Sequence, residues 1–247
     1  MIEIIGLSGM GLLRPGDDII EFIIEATSKN CFALQDDDIL VIASKVVSKS
    51  EGRVVHRSMI SVSERAREIA TRNGFDEYQV QLALDESTRV LRDSGVLITE
   101  RHDGLVCNFA GVDKSNVDKD EYVLLPVDPD QSAKRIADGL YDRTRCRVAV
   151  IVSDTQGRPW RRGIVNVAIG CSGIGVFKYN RGRRDLYDRT LEHSTVCQAD
   201  EIAAAVGPVM GQADEGVPLA VVRGLRIEGD KGRASEIVRP RSQDMFR

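Results

Sequence analysis

The apolar run Arg147-Val148-Ala149-Val150-Ile151-Val152 constrains the fold more than any other segment of this chain. It is too short for a stable helix and rich in β-branched residues, so it reads as a buried strand. Other strands are at hand to pair with it. Ile2-Glu3-Ile4-Ile5 opens the chain as one, and Asp38-Ile39-Leu40-Val41-Ile42-Ala43 is a short buried one ending in Ser44-Lys45. Tyr122 to Leu125, Val165 to Cys171 and Val217 to Val222 have the same character. Val96-Leu97-Ile98-Thr99 and Leu105 to Phe109 flank His102-Asp103-Gly104, and Asp-Gly between two such runs is a hairpin signal.

Helical patterns fall between the strands. Asp17-Asp18 can cap a helix whose apolar positions Ile19, Ile20, Ile23, Ile24 and Thr27 share one face. Ser63 caps a helix over Glu64 to Arg72, and Phe75 to Leu84 gives the next. Asp128-Pro129-Asp130 starts one that reaches about Arg143, with proline in its first turn. A last one, rich in alanine, runs from about Gln198 to Met210. Strands and helices interleave irregularly, so the expected class is α+β, with mixed sheets and hairpins, rather than a doubly wound sheet. The length of 247 residues suits one domain, or two small α+β units sharing a core.

Composition removes several functional classes. A formal net charge of -4 and a 5% aromatic share argue against nucleic acid as a partner, which wants a basic, ring-bearing surface. No run approaches the roughly 20 apolar residues that span a bilayer, and no leader pattern opens the chain. Five widely spaced cysteines without a C-x-x-C pair fit neither a disulfide framework nor a thiolate zinc site. The expectation is a cytoplasmic protein. His56, His102 and His193 lack metal-ligand spacing and read as surface or structural residues.

Chemistry-bearing residues gather behind the buried strands. Ser153-Asp154-Thr155-Gln156-Gly157-Arg158-Pro159-Trp160-Arg161-Arg162-Gly163 sets a carboxylate at the end of one. Asp154 there can hold a hard cation, with the arginines clamping phosphate or carboxylate. The same pattern also fits an N-cap aspartate followed by a solvated basic loop. Asp113 and Asn116 follow a strand in a turn, where an Asx-turn is the plain alternative to a second metal carboxylate. Ser44, Lys45 and Lys49 supply a hydroxyl and cations at a strand end. The glycines between Ser8 and Gly16 match neither a P-loop nor G-x-G-x-x-G. Gln212, in Met210-Gly211-Gln212-Ala213-Asp214-Glu215-Gly216, is an amide able to ligate metal, in a stretch that also reads as a helix C-cap.

These segments in order are more specific than any one of them. Ala43 to Lys49, Ala110 to Asn116, Leu125-Pro126 with Asp128 to Ala133, Ser153 to Arg162 and Val209 to Ala213 closely resemble the coenzyme F420-0:L-glutamate (γ-glutamyl) ligase family. Arg239-Pro240 and Met245-Phe246 extend the likeness to the C-terminus. Tyr187-Asp188-Arg189 departs from it, since a glycine is expected before that arginine.

The resemblance implies an α+β fold in an intertwined homodimer, without the reductase-like C-terminal extension of some bacterial relatives. It implies GTP-dependent addition of L-glutamate to the lactyl carboxylate of F420-0, then of a second glutamate through a γ-linkage. Two Mn²⁺ or Mg²⁺ ions per site and an activating K⁺ belong to that activity. Carried onto this chain, Asp113 and Asp154 are ligands of one metal, and Thr155 with Gln212 of another. Leu12, Leu13, Arg14, Pro15, Ser44, Lys45, Lys49, Asn116 and Met210, Gly211, Gln212, Ala213, Asp214, Glu215, Gly216, Val217 are the GTP contacts. The rival readings are another nucleotide- and metal-dependent ligase or phosphotransferase, or a non-catalytic nucleotide-binding module.

Overall fold

The structure, a computed structural model, describes residues 1–244; Met245-Phe246 lie outside the described residues. The first part of the chain forms β1 (Glu3–Leu7), α1 (Ile19–Lys29), β2 (Ile39–Ala43), α2 (Ser44–Ser50) and β3 (Val54–His56). Then come α3 (Glu64–Asn73), α4 (Glu77–Asp85), β4 (Ser87–Ser94), β5 (Val96–Arg101), β6 (Val106–Asn108) and β7 (Glu121–Val123). The remainder is α5 (Pro129–Thr144), β8 (Ala149–Arg158), β9 (Arg161–Ser172), β10 (Phe177–Tyr179), β11 (Thr195–Cys197), α6 (Gln198–Ala205), α7 (Gly207–Met210) and β12 (Leu219–Arg223).

Five strands make the central sheet in the order β1-β12-β2-β8-β9. Only the β2–β8 pair is parallel within it; its other neighbours run antiparallel. The sheet is buried on both faces. Leu40, Ile42, Val150 and Val152 point to one side, against Ile23 and Ala26 of α1 and Ala133, Ile136 and Leu140 of α5. Ile39, Val41 and Ile151 point to the other, against Ala199, Ile202 and Ala203 of α6. A separate cluster joins Ala66, Ile69 and Ala70 of α3 and Val80, Leu82 and Ala83 of α4 to Leu97 and Tyr122. It packs beside the three-stranded sheet β4-β5-β6 and the β3–β7 pair.

The architecture is thus mixed α+β with several sheets, as the sequence pattern implied. The capping expectations hold in detail. Asp18 accepts from the Ile20 amide at 2.8 Å, Ser63 from that of Ala66 at 3.2 Å, and Asp128 from that of Gln131 at 2.9 Å.

Two local readings change, and two further segments gain a definite shape. Asp154 does not end a strand: β8 continues to Arg158 and turns through Pro159-Trp160 into β9. Neither an N-cap aspartate nor a solvated loop describes this segment, because the ladder to β9 outlasts the apolar pattern. The helix from Gln198 breaks into α6 and α7 at Gly207-Pro208, where proline has no amide to give the ladder. The strand ending at Ser44-Lys45 runs straight into α2. The charged segment Arg181 to Arg189 is the loop of the β10–β11 hairpin. There Asp188 takes φ 61°, the left-handed conformation glycine favours, while Asp185 Oδ1 accepts from the Tyr187 and Arg189 amides. Aspartate tolerates that conformation better than most side chains, so Asp188 can stand where a glycine is expected.

One polar pair ties the sheet to the loop before it. Asp38 is 1% exposed, and its carboxylate accepts from Arg223 at 2.6 and 2.8 Å and from the Gln35 amide at 2.9 Å. Removing the guanidinium strands a buried charge. Arg223→Ala should lower unfolding free energy by about 3 kcal/mol in urea denaturation, whereas a change under about 1 kcal/mol would mean that water or another group takes over the pairing.

Candidate functional site

Strand register builds the first contact of the site. Because β2 and β8 are parallel with Ala43 opposite Ser153, the next residues, Ser44 and Asp154, meet where the sheet ends. The Ser44 hydroxyl donates to Asp154 Oδ1 at 3.0 Å. Asp154 continues the face of Val150 and Val152 by strand alternation, so it emerges from the edge of the core and is half-buried. Burial pushes its carboxyl up to about 6, against the pull of the Ser44 hydroxyl and the Thr155 amide, and nearby Asp113 adds to the rise.

Asp113 arrives from the other side on a strained turn. Phe109, Ala110 and Gly111 all have positive φ, at 50°, 52° and 74°. A side chain at Gly111 would also sit 2.3 Å from Leu125 Cδ1. The Asp113 amide and carbonyl then bond to Val123 at 3.0 and 2.8 Å, which holds the carboxylate in place. Lys45 Nζ lies 2.8 Å from Asp113 Oδ2 and donates to the Ser115 carbonyl and hydroxyl at 2.9 and 2.7 Å. Burial pushes the Asp113 carboxyl up, but the Lys45 ammonium and the Ser115 amide and hydroxyl outweigh it and leave it below the usual value. Lys49 Nζ donates to the Asn116 carbonyl at 2.6 Å, and burial together with neighbouring Lys45 lowers its ammonium pKa.

The opposite face of β8 carries a third group. Thr155 Oγ1 donates within 3.0 Å of Asn166 Oδ1 and 2.9 Å of Gln212 Oε1, and Gln212 Nε2 donates to Asn166 Oδ1 at 2.8 Å. Asn166 is the cross-strand partner of Thr155. The sequence reading missed it, because only the β8–β9 register reveals it. Beyond α7, Glu215 accepts from the Gln212 and Ala213 amides at 3.1 and 2.7 Å, closing Met210 to Val217 into a tight loop. Gly211 suits the loop because its backbone, with φ 71° and ψ -171°, is one that essentially only glycine adopts.

All three groups open into one cleft of about 2130 Å³. Its lining includes Leu12, Leu13, Ser44, Lys45, Lys49, Asp113, Asn116, Asp154, Thr155 and the loop Met210, Gly211, Gln212, Ala213, Asp214, Glu215, Gly216 and Val217. Thus dispersed segments of the chain do converge. Among the described residues Arg14 and Pro15 do not line the cleft; the Arg14 amide instead donates to Asp17 Oδ2 at 2.7 Å in the turn before α1. His102 lines it, while His56 and His193 stand elsewhere.

The donors in the cleft are hydroxyl, carboxylate and amide oxygens beside two ammonium groups. Among the described residues no three of His, Cys, Asp or Glu gather as a metal cluster. A hard divalent cation is served by such oxygens, with carboxylates from two segments and hydroxyl or amide oxygens filling its shell. Ammonium groups and carboxylates side by side could serve an anion and a cation together.

Comparison with known proteins agrees with that class. Residues 9–224 match the sequence profile described as F420-0:Gamma-glutamyl ligase, and the chain belongs to that family. It is 44% identical over 250 residues to the coenzyme F420:L-glutamate ligase of Methanothermobacter thermautotrophicus, covering 100% of this chain and 99% of that one. The protein of the same name from Archaeoglobus fulgidus is 43% identical over 246 residues, covering 100% and 96%. That of Methanocaldococcus jannaschii is 39% identical over 249 residues, covering 100% and 97%.

The raised Asp154 carboxyl has a consequence for the metal-free protein. Between the unfolded value of 3.8 and the folded value of about 6, the native state keeps a proton that the unfolded chain has lost. Its contribution to stability is therefore full below pH 4 and is lost as pH rises to 6. Compared with Asp154→Asn, the wild type should lose stability across that window in chelator-treated samples. Parallel stability curves for the two proteins would show that Asp154 titrates normally.

Proposed function

We propose that this protein is a GTP-dependent amide ligase that adds L-glutamate to the lactyl carboxylate of coenzyme F420-0, then a second glutamate through a γ-linkage. The observation that carries this reading is the convergence of Ser44, Lys45, Asp113, Asp154, Thr155 and Gln212 on one cleft in a chain of this family. Three related proteins that the chain covers end to end are named coenzyme F420:L-glutamate ligase.

A carboxylate does not condense with an amine at neutral pH without activation. In the proposed reaction an oxygen of the acceptor carboxylate attacks the γ-phosphorus of GTP, and the bond to GDP breaks, leaving an acyl phosphate. The glutamate amine then attacks that carbonyl, loses a proton, and expels inorganic phosphate as the amide forms. Phosphoryl transfer asks the protein mainly for positioning and charge neutralisation. Bound Mn²⁺ or Mg²⁺, two per site, would supply positive charge to the phosphate oxygens.

The residues present fit such ions. Asp113 and Asp154 would hold one from two sides of the cleft, and Thr155 with Gln212 another on the far face of β8. The Ser44 hydroxyl, bonded to one Asp154 oxygen, would orient the carboxylate toward such an ion. Lys45, now on Asp113, and Lys49, on the Asn116 carbonyl, are in place to meet phosphate. The nucleotide would lie along Leu12, Leu13, Ser44, Asn116 and the Met210 to Val217 loop. We also propose K⁺ as activator, a homodimer as the working form, and the cytoplasm as its place; no described helix is long and apolar enough to cross a membrane.

The test is a mass measurement. Purified protein with F420-0, L-glutamate, GTP and Mn²⁺ should yield acceptor heavier by one and then two glutamyl residues, with sustained GTP turnover only when both acids are present. No mass gain would sink the reading. Asp154→Asn should fall by at least about a hundredfold in turnover while keeping its melting temperature within a few degrees; near-normal turnover would remove the metal assignment. With ¹⁸O in the acceptor carboxylate, label should appear in the released phosphate, and unlabelled phosphate would rule out the acyl phosphate.

A further inference from the structure

Four side-chain polar atoms among the described residues are buried without a hydrogen-bond partner: Ser48 Oγ, Thr99 Oγ1, Gln156 Nε2 and Arg158 Nε. Ser48 and Thr99 lie inside the protein, away from the cleft. Gln156 and Arg158 line the cleft itself. An unpaired donor shielded from water costs free energy comparable to a lost hydrogen bond, and two on one strand are not an accident of packing. Such donors are accounted for when a ligand accepts from them.

Their place on β8 says which ligand. Val150 and Val152 face the α1 and α5 side of the sheet, alternation carries Asp154 and Gln156 onto that same face, and Arg158, past a register irregularity, lines the cleft beside them. Gln156 stands about 7 Å along the strand from Asp154, and Arg158 lies further out in the same direction. Arg158 Nη2 donates to the Arg162 carbonyl at 3.0 Å, while Nε has no partner. Of the three arginines in this hairpin, Arg161 and Arg162 are exposed and do not line the cleft. An amide N–H and a guanidinium N–H, with no acidic side chain between them on that face, suit a carboxylate.

We infer that Gln156 and Arg158 bind the α-carboxylate of a glutamyl group next to the reacting centre. The inference rests on the ligase reading above and deepens it. Two glutamyl groups qualify: the incoming free L-glutamate, and the glutamyl end of the acceptor in the second round, whose γ-carboxylate reacts while its α-carboxylate does not. In either case the pair anchors the non-reacting carboxylate, so that only the intended atom reaches the activated carbonyl or the phosphate.

The experiment compares wild type with Arg158→Ala, Arg158→Lys and Gln156→Leu, reading KM for glutamate, KM for GTP and the ratio of singly to doubly extended product. Melting temperature and GDP binding by calorimetry report whether each variant is folded. If the incoming glutamate is held, KM for glutamate rises by about tenfold or more in both rounds, GTP is unaffected, and Arg158→Lys recovers part of the loss. If the acceptor end is held, the first addition is normal and the second falls by a similar factor. Unchanged glutamate KM and an unchanged product ratio overturn the inference, as does a rise confined to GTP. Should Arg158→Ala fail to fold, Gln156→Leu carries the same readings with the side-chain volume kept. A wild type that adds no glutamate at all defeats the ligase reading instead, so the two failures are told apart.

Discussion

The parallel pairing of β2 with β8 is the contact on which the site depends. It is the one parallel pair in the central sheet, and its register puts Ala43 against Ser153. Both strands then leave the core together, β2 into α2 and β8 into the long hairpin. Ser44 and Lys45 are therefore delivered at the same level as Asp154 by backbone hydrogen bonds rather than by side-chain preference. The buried faces that lock this register, with Leu40 and Ile42 against α1 and α5 and Ile39 and Val41 against α6, also lock the polar residues that follow. Packing energy in the core is thus what positions the chemistry outside it.

Around that contact the electrostatics are arranged in opposition. Lys45 helps hold the Asp113 carboxyl below its usual value, while burial raises that of Asp154 to about 6, which still leaves it mostly ionised near pH 7. The charge on Asp113 contributes to that rise, and the Lys45 ammonium works against it. Lys45 serves meanwhile as a resident counter-ion. The strain at Phe109, Ala110 and Gly111 fits the same picture, since an Asp113 loop free to relax would not keep its carboxylate facing the other segment.

Much of this was legible in the sequence, and the reason differs by element. Helix caps at Asp18, Ser63 and Asp128 are local chemistry and are found where the residues implied. The buried strands announce themselves by β-branched runs. What local pattern could not supply was the continuation of β8, because Gly157, Arg158 and Arg161 look like loop residues until the β9 partner is known. Asn166 was invisible for the same reason: its role exists only through the register that sets it opposite Thr155. Asp113 and Asp154 were read as paired through family resemblance, while their residue-level patterns fitted capping and turns equally well. The structure brings both to one cleft, and it leaves Arg14 and Pro15 outside.

The hairpin that extends β8 also works as a ruler with two sides. Odd and even positions past the core have separate duties, with Asp154 and Gln156 on one side and Thr155, cross-linked to Asn166 and Gln212, on the other. The ladder gives way at two places, between Val152 and Ser153 and between Gly157 and Arg158. An added residue in this stretch would exchange the two sides unless one of those irregularities took it up as a bulge. The hairpin thus holds its two-sided pattern most strictly over Ser153 to Gly157, where the pairing is regular.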